Sequence, residues 1–511
     1  MLKKLRKLAF SRMFVVGFFI FIQFFLIFSA ALEFTKYFVV YYAVSFVIAF
    51  AFVLRIINTN QRMAYKLAWI VVIFAFPAFG GALYLIFCGN RLSPRSRGKM
   101  RYISDATRSS IASDECVIEE ISADSPSAAK QSRYIKNAAL CPPYKGTRTR
   151  YFPSGEAMID TFIEKLESAE KYIFLEYFII GEGEMWTRIH DVLKRKVDAG
   201  VDVRVIYDDI GCMLTLDRKF CTRLEAEGIK CRVFHRFVPV LSSRQNNRDH
   251  RKICVVDGVC AFTGGINIAD EYINKVERFG YWKDNAVMLV GEGVWSFTAM
   301  FLGMWDYLGG KKTASDYLEY KPDYSSFRAD EDAGYVQPYT DSPLDDEAIG
   351  ENVYLGMLEA AQSYVWITTP YLIIDEQMTE ALCRAVKSGV DVRIVTPGIP
   401  DKKLVNETTK SYYPILIENG VKIYEYKPGF IHAKTFLCDD VLATVGSVNL
   451  DYRSLYLHFE CGVWLYKAEC VCDIKKDFLE IFNACEEITE AKNSIFRNLF
   501  RGVLELIAPL L

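Results

Sequence analysis

His250-Arg251-Lys252-Ile253-Cys254-Val255-Val256-Asp257, followed by Gly264-Gly265-Ile266-Asn267, returns later in the chain. The second copy is His432-Ala433-Lys434-Thr435-Phe436-Leu437-Cys438-Asp439, followed by Gly446-Ser447-Val448-Asn449. Both read H-x-K, four residues, D, six residues, then Gly, Gly or Ser, any residue, and Asn; His to Asn spans 17 positions in each. In a chain with 5 His, a lone H-x-K-x4-D arises by chance in about one chain in fifty. Two copies with the same Gly and Asn exclude coincidence. The flanks repeat too. Ala169-Glu170-Lys171-Tyr172-Ile173 is echoed by Ala361-Gln362-Ser363-Tyr364-Val365, and Gly200-Val201-Asp202-Val203-Arg204-Val205-Ile206 by Gly389-Val390-Asp391-Val392-Arg393-Ile394-Val395. Gly228-Ile229-Lys230 is echoed by Gly420-Val421-Lys422. Helical periodicity over 156–169, an apolar run over 172–180, a helix reaching 198 and a β-branched run over 201–207 alternate as an α/β fold with a mixed or parallel sheet does. The self-similarity makes that fold a duplicated one.

His and Lys two apart on a strand share a face, so both can reach one pocket. The strand is expected to turn at Asp257-Gly258 or Asp439-Asp440 and return over 260–263 or 441–445, bringing Asn267 or Asn449 back beside the His. Each copy then supplies a base or nucleophile, a cation and an amide donor. Two copies facing each other place two His, two Lys and two Asn around one anion, for which a phosphodiester is the natural guest. Lys and Asn donors stabilise charge on the equatorial oxygens of five-coordinate phosphorus. One His attacks and the other protonates the leaving oxygen. Neither role needs a metal, and no cofactor is expected.

These residues resemble the paired HKD motifs of the phospholipase D superfamily, and within it the family of bacterial cardiolipin synthases. The likeness extends over nearly the whole chain, including Asn247-Arg248-Asp249 before the first motif and Gly429-Phe430-Ile431 before the second. It also takes in Leu175-Glu176-Tyr177-Phe178, Tyr207-Asp208-Asp209, Thr368-Thr369-Pro370-Tyr371 and the closing Pro509-Leu510-Leu511. The resemblance implies two phospholipase D-like α/β/α domains packed around a pseudo-twofold, after N-terminal transmembrane helices. It implies transfer of a phosphatidyl group from one phosphatidylglycerol to another through a phosphohistidine, giving cardiolipin and glycerol. His250, Lys252, Asp257, His432, Lys434 and Asp439 are then catalytic, with Asn267, Asn449 and Ser447 on the phosphate. Asp284 and Glu460 sit where that family carries acidic groups that orient the His. Asp257 and Asp439 are expected to support the hairpins rather than touch substrate. By analogy His250 is the nucleophile and His432 the acid/base; the residues themselves do not distinguish them. Gly265 stands where the second copy has Ser447, so the two sides of the pocket are not equivalent.

The 511 residues are 51% hydrophobic, with 61 basic against 63 acidic side chains and a net charge of -2. That balance disfavours nucleic acid as a partner, and 24% charged residues exclude a disordered chain. The 14 Cys have no zinc-knuckle spacing and read as reduced thiols. Met13 to Leu32, Tyr37 to Leu54 and Leu67 to Cys88 carry no charge, and each is long enough to cross a bilayer. The third, with Pro77, Gly80 and Gly81, is either a crossing or a re-entrant hairpin. Basic residues lie on both flanks, Lys3 to Arg12 and Arg91 to Arg101. Together with the Cys they favour a multi-pass cell-membrane protein with cytoplasmic catalytic domains. The expected divisions are an anchor over 1–90, a polar linker over 91–144, a first domain over 145–310, a linker over 311–339, a second domain over 340–490 and an amphipathic tail over 491–511. His190, His235 and His458 lie outside the repeat and are expected to be structural or surface groups. A membrane-bound phospholipase D-type hydrolase and an inactive membrane scaffold are the alternatives to the transferase; two intact motifs disfavour the scaffold.

Overall fold

Tyr172–Tyr177 is buried at every position, which a strand requires when helices or another layer cover both its faces. Its side chains alternate: Ile173, Leu175 and Tyr177 enter one core, Tyr172 and Phe174 another. The computed structural model describes residues 18, 21–29, 35–59, 61–87, 98, 107, 110–111, 115–236, 246–309, 316–327, 333–344, 347–490, 501–506 and 508. They fall into two compact units, one of 92–236 with 247–498, the other of 1–91 with 237–246 and 499–511.

The larger unit holds two sheets built alike. The first runs in spatial order Arg148–Phe152, Ala286–Val290, Cys260–Gly264, Lys252–Val256, Tyr172–Tyr177, Asp202–Asp208, Lys230–Phe234. The second runs Tyr335–Asp341, His458–Tyr466, Leu442–Gly446, Thr435–Cys438, Tyr364–Thr368, Asp391–Pro397, Lys422–Tyr426, with Tyr144–Lys145 and Cys485–Ile488 added at its edges. In each, three parallel strands follow an antiparallel set that contains the motif hairpin. The outer faces pack on amphipathic helices: Gly155–Glu167 and Glu184–Asp198 on the first sheet, Ile349–Ala360 and Glu376–Lys387 on the second. Between the sheets lies a shared core, into which the almost wholly buried helix Val294–Leu308 inserts Trp295, Phe297, Phe301 and Trp305. Phe174 stacks on Phe301 there at 4.5 Å and 8°, an offset aromatic contact that adds to its area burial.

Two boundaries differ from expectation. The stretch 91–144 is not a linker throughout, because Glu115–Asp124 and Pro126–Ala139 are helices. The Ser125 side chain accepts from Ala128 N and Pro126 opens the second helix, a strong start signal. Ile118, Ile121, Ala128, Ala129 and Ile135 then bury against the second sheet's core. Nor does the second half begin at 340: Tyr335–Asp341 is already a strand, paired with His458–Tyr466.

In the smaller unit, Thr35–Ile57 is a helix, and its segment Val39–Ile57 is long and apolar enough to cross a membrane. Val39, Val47, Ile48 and Phe50 are exposed along it. The segment Leu67 to Cys88 is not one continuous helix. It breaks at Phe76 into Met63–Ala75 and Pro77–Phe87, since Pro77 cannot donate into the preceding turn. A Cβ on Gly80 would lie 2.6 Å from Ile73 Cα, so the glycine permits the close return. Met13 to Leu32 lies largely outside the described residues; 18 and 21–29 are helical. Of the tail, 491–500, 507 and 509–511 lie outside them, and 501–506 is helical.

Candidate active site

Neither motif His sits within its own hairpin strand. Arg248–Asp249 pairs in parallel with His458 and Phe459 of the second half, and His250 N donates to Phe459 O at 2.9 Å. The chain then enters the first sheet at Lys252. The second half does the same in reverse: Gly429–Ile431 pairs with Tyr281–Lys283 of the first half, and His432 N donates to Lys283 O at 2.6 Å. Each motif therefore begins on the other half's backbone, which places both His at the seam between the sheets.

The exchange also decides which carboxylate holds which imidazole. His250 Nδ1 donates to Glu460, 2.9 Å from each oxygen, and His432 Nδ1 donates to Asp284 Oδ2 at 2.6 Å. The two His side chains are 8% and 9% exposed while both carboxylates are fully buried. Charge-assisted bonds in such surroundings are strong, and they leave Nε2 of each ring as the reactive nitrogen. Asp284 and Glu460 thus stand where the orienting acids were expected, each serving the His of the other repeat.

Lys252 Nζ donates to His250 O at 2.5 Å, and Lys434 Nζ likewise to His432 O. Burial pulls the Lys252 ammonium down to about 8, against the pull of Glu460 and Asp284. Burial also takes Lys434 to about 7, with Lys252 adding repulsion and Asp284 opposing. His432 is lowered to about 4 by burial and Lys434, and His250 is held well below its ordinary value by burial, Lys252, Lys434 and His432. For Asp284 burial acts upward, but His432, Lys434 and the Asn285 N–H outweigh it and keep the carboxyl below the usual range. Two depressed lysines and two depressed imidazoles, held together in one buried site, are the perturbed titrations that functional sites concentrate.

The remaining expected residues have protein partners of their own. Asn267 Oδ1 accepts from Ile179 N and its Nδ2 donates to Tyr272 OH, so its amide braces the loop after Tyr172–Tyr177. Asn449 Nδ2 donates to Asp451 at 3.1 Å. Ser447 Oγ donates to Glu460 Oε2 and holds the carboxylate. Asn449 Oδ1, by contrast, is buried without a hydrogen-bond partner among the described residues. Gly265 has its own reason: a Cβ there would lie 2.0 Å from Asp284 Oδ1, so the first half has room for the carboxylate only without a side chain.

Asp257 and Asp439 stand as the hairpin supports they were expected to be. Both sit in the left-handed region, φ 52° and 51°, at the end of the hairpin strand away from the His. The Asp257 carboxylate accepts from the N–H groups of Glu170, Lys171 and Tyr172, and Asp439 from Gln362, Ser363 and Tyr364, all at 2.6–2.8 Å. They clamp the start of the neighbouring strand. Asp257→Ala is expected to lower unfolding free energy by about 1–3 kcal/mol while leaving kcat unchanged. Denaturant titration beside an activity assay checks both halves of that statement.

Several residues of the seam were not anticipated. Arg251 pairs with Glu176 and, at 3.2 Å, with Asp249 beneath His250. Lys283 pairs with Asp477 at 2.5 Å, which also accepts from Tyr151 OH at 2.6 Å. Buried ion pairs of this kind impose register more than stability; here they pin the two crossing segments. His458, expected to be structural or at the surface, lies 5.5 Å from His250 between ring centroids. Its signal was present in the sequence, since it precedes Glu460 by two positions as Trp282 precedes Asp284.

A duplicated α/β fold with two reciprocally held His-x-Lys motifs over one anion site defines a phospholipase D-like phosphodiester enzyme. The family described as "Cardiolipin synthase, PLD-like domain" matches residues 162–287 and 354–482, and one described as "Phospholipase_D-nuclease N-terminal" matches 47–87. Cardiolipin synthases of Geobacillus kaustophilus and Geobacillus thermodenitrificans are 33% and 34% identical, over 88% and 91% of this chain and 90% and 92% of theirs. An uncharacterized protein of Streptococcus mutans is 45% identical over 90% of this chain and 99% of its own. The solved phosphatidylserine synthase of Haemophilus influenzae shares the fold, with a TM-score of 0.56 at 15% identity, covering 75% of this chain and all of that one. The chain belongs to the cardiolipin synthase family of the phospholipase D superfamily.

Proposed function

We propose that this protein is a cardiolipin synthase, moving a phosphatidyl group from one phosphatidylglycerol to the glycerol hydroxyl of another. The observation that carries the reading is the pair of Nδ1-anchored imidazoles, His250 on Glu460 and His432 on Asp284, flanked by two buried lysines. His250 Nε2 attacks phosphorus while His432 protonates the departing glycerol oxygen. His432 then takes the proton of the incoming hydroxyl, whose oxygen attacks phosphorus as the P–N bond breaks. Lys252 and Lys434 neutralise the charge that builds on the equatorial oxygens.

The surroundings of the two His support this division of roles. His432 lies 5.4 Å from Trp282, 5.6 Å from Tyr272 and 5.8 Å from Phe430 between ring centroids. Among the described residues these are three aromatic side chains against the one, Phe178 at 4.9 Å, beside His250, and aromatic neighbours favour an imidazolium. A phosphodiester anion beside it offsets the burial that otherwise depresses it, so the proton is held when substrate is bound. The two α/β halves are read as domains about a pseudo-twofold. The N-terminal unit is read as a multi-pass anchor in the cell membrane, with the catalytic unit in the cytoplasm; protease access near Arg95 in sealed vesicles tests the sidedness.

Purified protein is expected to convert labelled phosphatidylglycerol in detergent to cardiolipin and glycerol. Phosphatidic acid as sole product would instead establish a hydrolase. Anion affinity should also depend on pH. With Lys434 at about 7 and Lys252 at about 8, both are cationic below those values and lose their protons above them. Inhibition by inorganic phosphate is therefore expected to weaken progressively from pH 7 to 9, with proton uptake on binding measurable by calorimetry in buffers of different ionisation enthalpy.

A further inference from the structure

The two halves are built alike at the seam, and one of the differences between them falls beside the carboxylates that hold the His. Arg248 lies opposite His458 in one crossing pair and Phe430 opposite Trp282 in the other. Trp282 and His458 are thus equivalent, each two residues before the carboxylate that holds the partner half's His. On the His432 side the place is filled by an indole, and Asp284 gives His432 one oxygen while the other accepts from Asn285 N at 2.8 Å. On the His250 side it is filled by an imidazole. His458 Nδ1 stands 3.6 Å from Glu460 Oε1, just beyond hydrogen-bond length, and neither of its ring nitrogens has a hydrogen-bond partner among the described residues. Glu460 is already shared by His250 and Ser447.

The charges around this cluster are specific. His250 is faced by Lys252 from its own segment, by His432 and Lys434 from the other motif, and by Glu460 and His458 from the strand His458–Tyr466. His458 is faced by Glu460 on its own strand, by His250, by Arg453 from the helix Tyr452–Tyr456 and, across the pairing, by Arg248. A second imidazole here brings another titratable nitrogen to 3.6 Å from the carboxylate that holds His250. Burial takes its own pKa down to about 4, and where it does carry a proton it repels one on a ring 5.5 Å away. An indole in the same place would do neither.

We infer that His458 is a positioning residue that helps keep His250 unprotonated for attack, and that the exchange of Trp282 for His458 helps divide the two motifs into nucleophile and acid/base. The inference rests on the reading of His250 as the nucleophile. No bond is made or broken at His458; it acts through Glu460 and through its charge.

The test compares wild type with His458→Trp, which copies the other half, and with His458→Gln, which keeps a polar side chain of similar reach. The rate of phosphatidylglycerol consumption, whatever the product, is followed from pH 4 to 9. Both variants are expected to move the acid limb upward by about one pH unit, while the rate on the alkaline side stays within about threefold. An unmoved limb, or a uniform loss of rate at every pH, overturns the inference. The same comparison is made without turnover by titrating imidazole signals in 15N-histidine-labelled protein, which has 5 His. The His250 resonance is expected to titrate about one unit higher in His458→Gln, and an unchanged titration overturns the inference. Failure of the underlying reading looks different: phosphoenzyme trapped on His432 removes the role assigned to His250, and phosphatidic acid as sole product removes the transferase while leaving the pH comparison valid.

Discussion

His250→Ala is expected to reduce phosphatidyl transfer by about five orders of magnitude and to form no covalent phosphoenzyme. His432→Ala is expected to lose about 10²–10⁴-fold with the natural lipid, the ordinary worth of a general acid. The difference lies in what each ring does to phosphorus. With a p-nitrophenyl phosphodiester, whose leaving group needs no proton, His432→Ala should still give a burst of one nitrophenolate per site and then stall, because no base activates the acceptor. His250→Ala should give none. Rapid-quench kinetics with mapping of the acid-labile, base-stable phosphate distinguishes the two. A burst in His250→Ala, with label on His432, would reverse the assignment.

The second large effect is expected at the carboxylates. Asp284→Asn and Glu460→Gln preserve shape but replace an acceptor with an amide that can present N–H to Nδ1, which favours the wrong tautomer and withdraws Nε2 from its task. In hydrolases that hold a His through one carboxylate, this isosteric change costs about 10⁴-fold in kcat, and a loss of about 10³-fold or more is expected here. The Asp284 change should be the more severe. His432 has one oxygen of that carboxylate to itself at 2.6 Å, whereas His250 meets Glu460 at 2.9 Å through oxygens one of which Ser447 also holds. Thermal unfolding of both variants, expected within a few degrees of wild type, separates a chemical loss from a structural one. A kcat within tenfold of wild type for either variant would remove the carboxylates from the mechanism.

Much of this architecture is legible in the amino-acid order because its signals are local. Strand and helix alternation, the turns at Asp257 and Asp439 and the doubled H-x-K follow from periodicity and spacing, while Asp284 and Glu460 were reached only through the family resemblance. The crossing segments are not local. Nothing in Arg248-Asp249 or Gly429-Phe430-Ile431 announces that each pairs with a strand of the other half, and from that pairing follow the pairing of His with acid and the placement of His458. The protein partners of the motif Asn and Ser were hidden for a related reason: the backbone N–H groups and carboxylates that meet Asn267 and Ser447 come from segments distant in sequence. The helix at Pro126–Ala139 was legible, through Ser125 and Pro126, but a polar composition concealed it.

The interlocked motifs have a consequence for how such a chain can change over evolutionary time. A single half carries a His without its acid and an acid without its His, so it can work only against a second copy of itself, and a self-paired copy is obliged by symmetry to place the same residue on both sides of the phosphate. Joining the copies in one polypeptide lifts that obligation. A substitution then alters one side alone, as Gly265 against Ser447 and Trp282 against His458 record, and a symmetric ancestor's two equivalent histidines become free to specialise. The catalytic inheritance of each half is thus kept in the other, and neither can drift far without its twin.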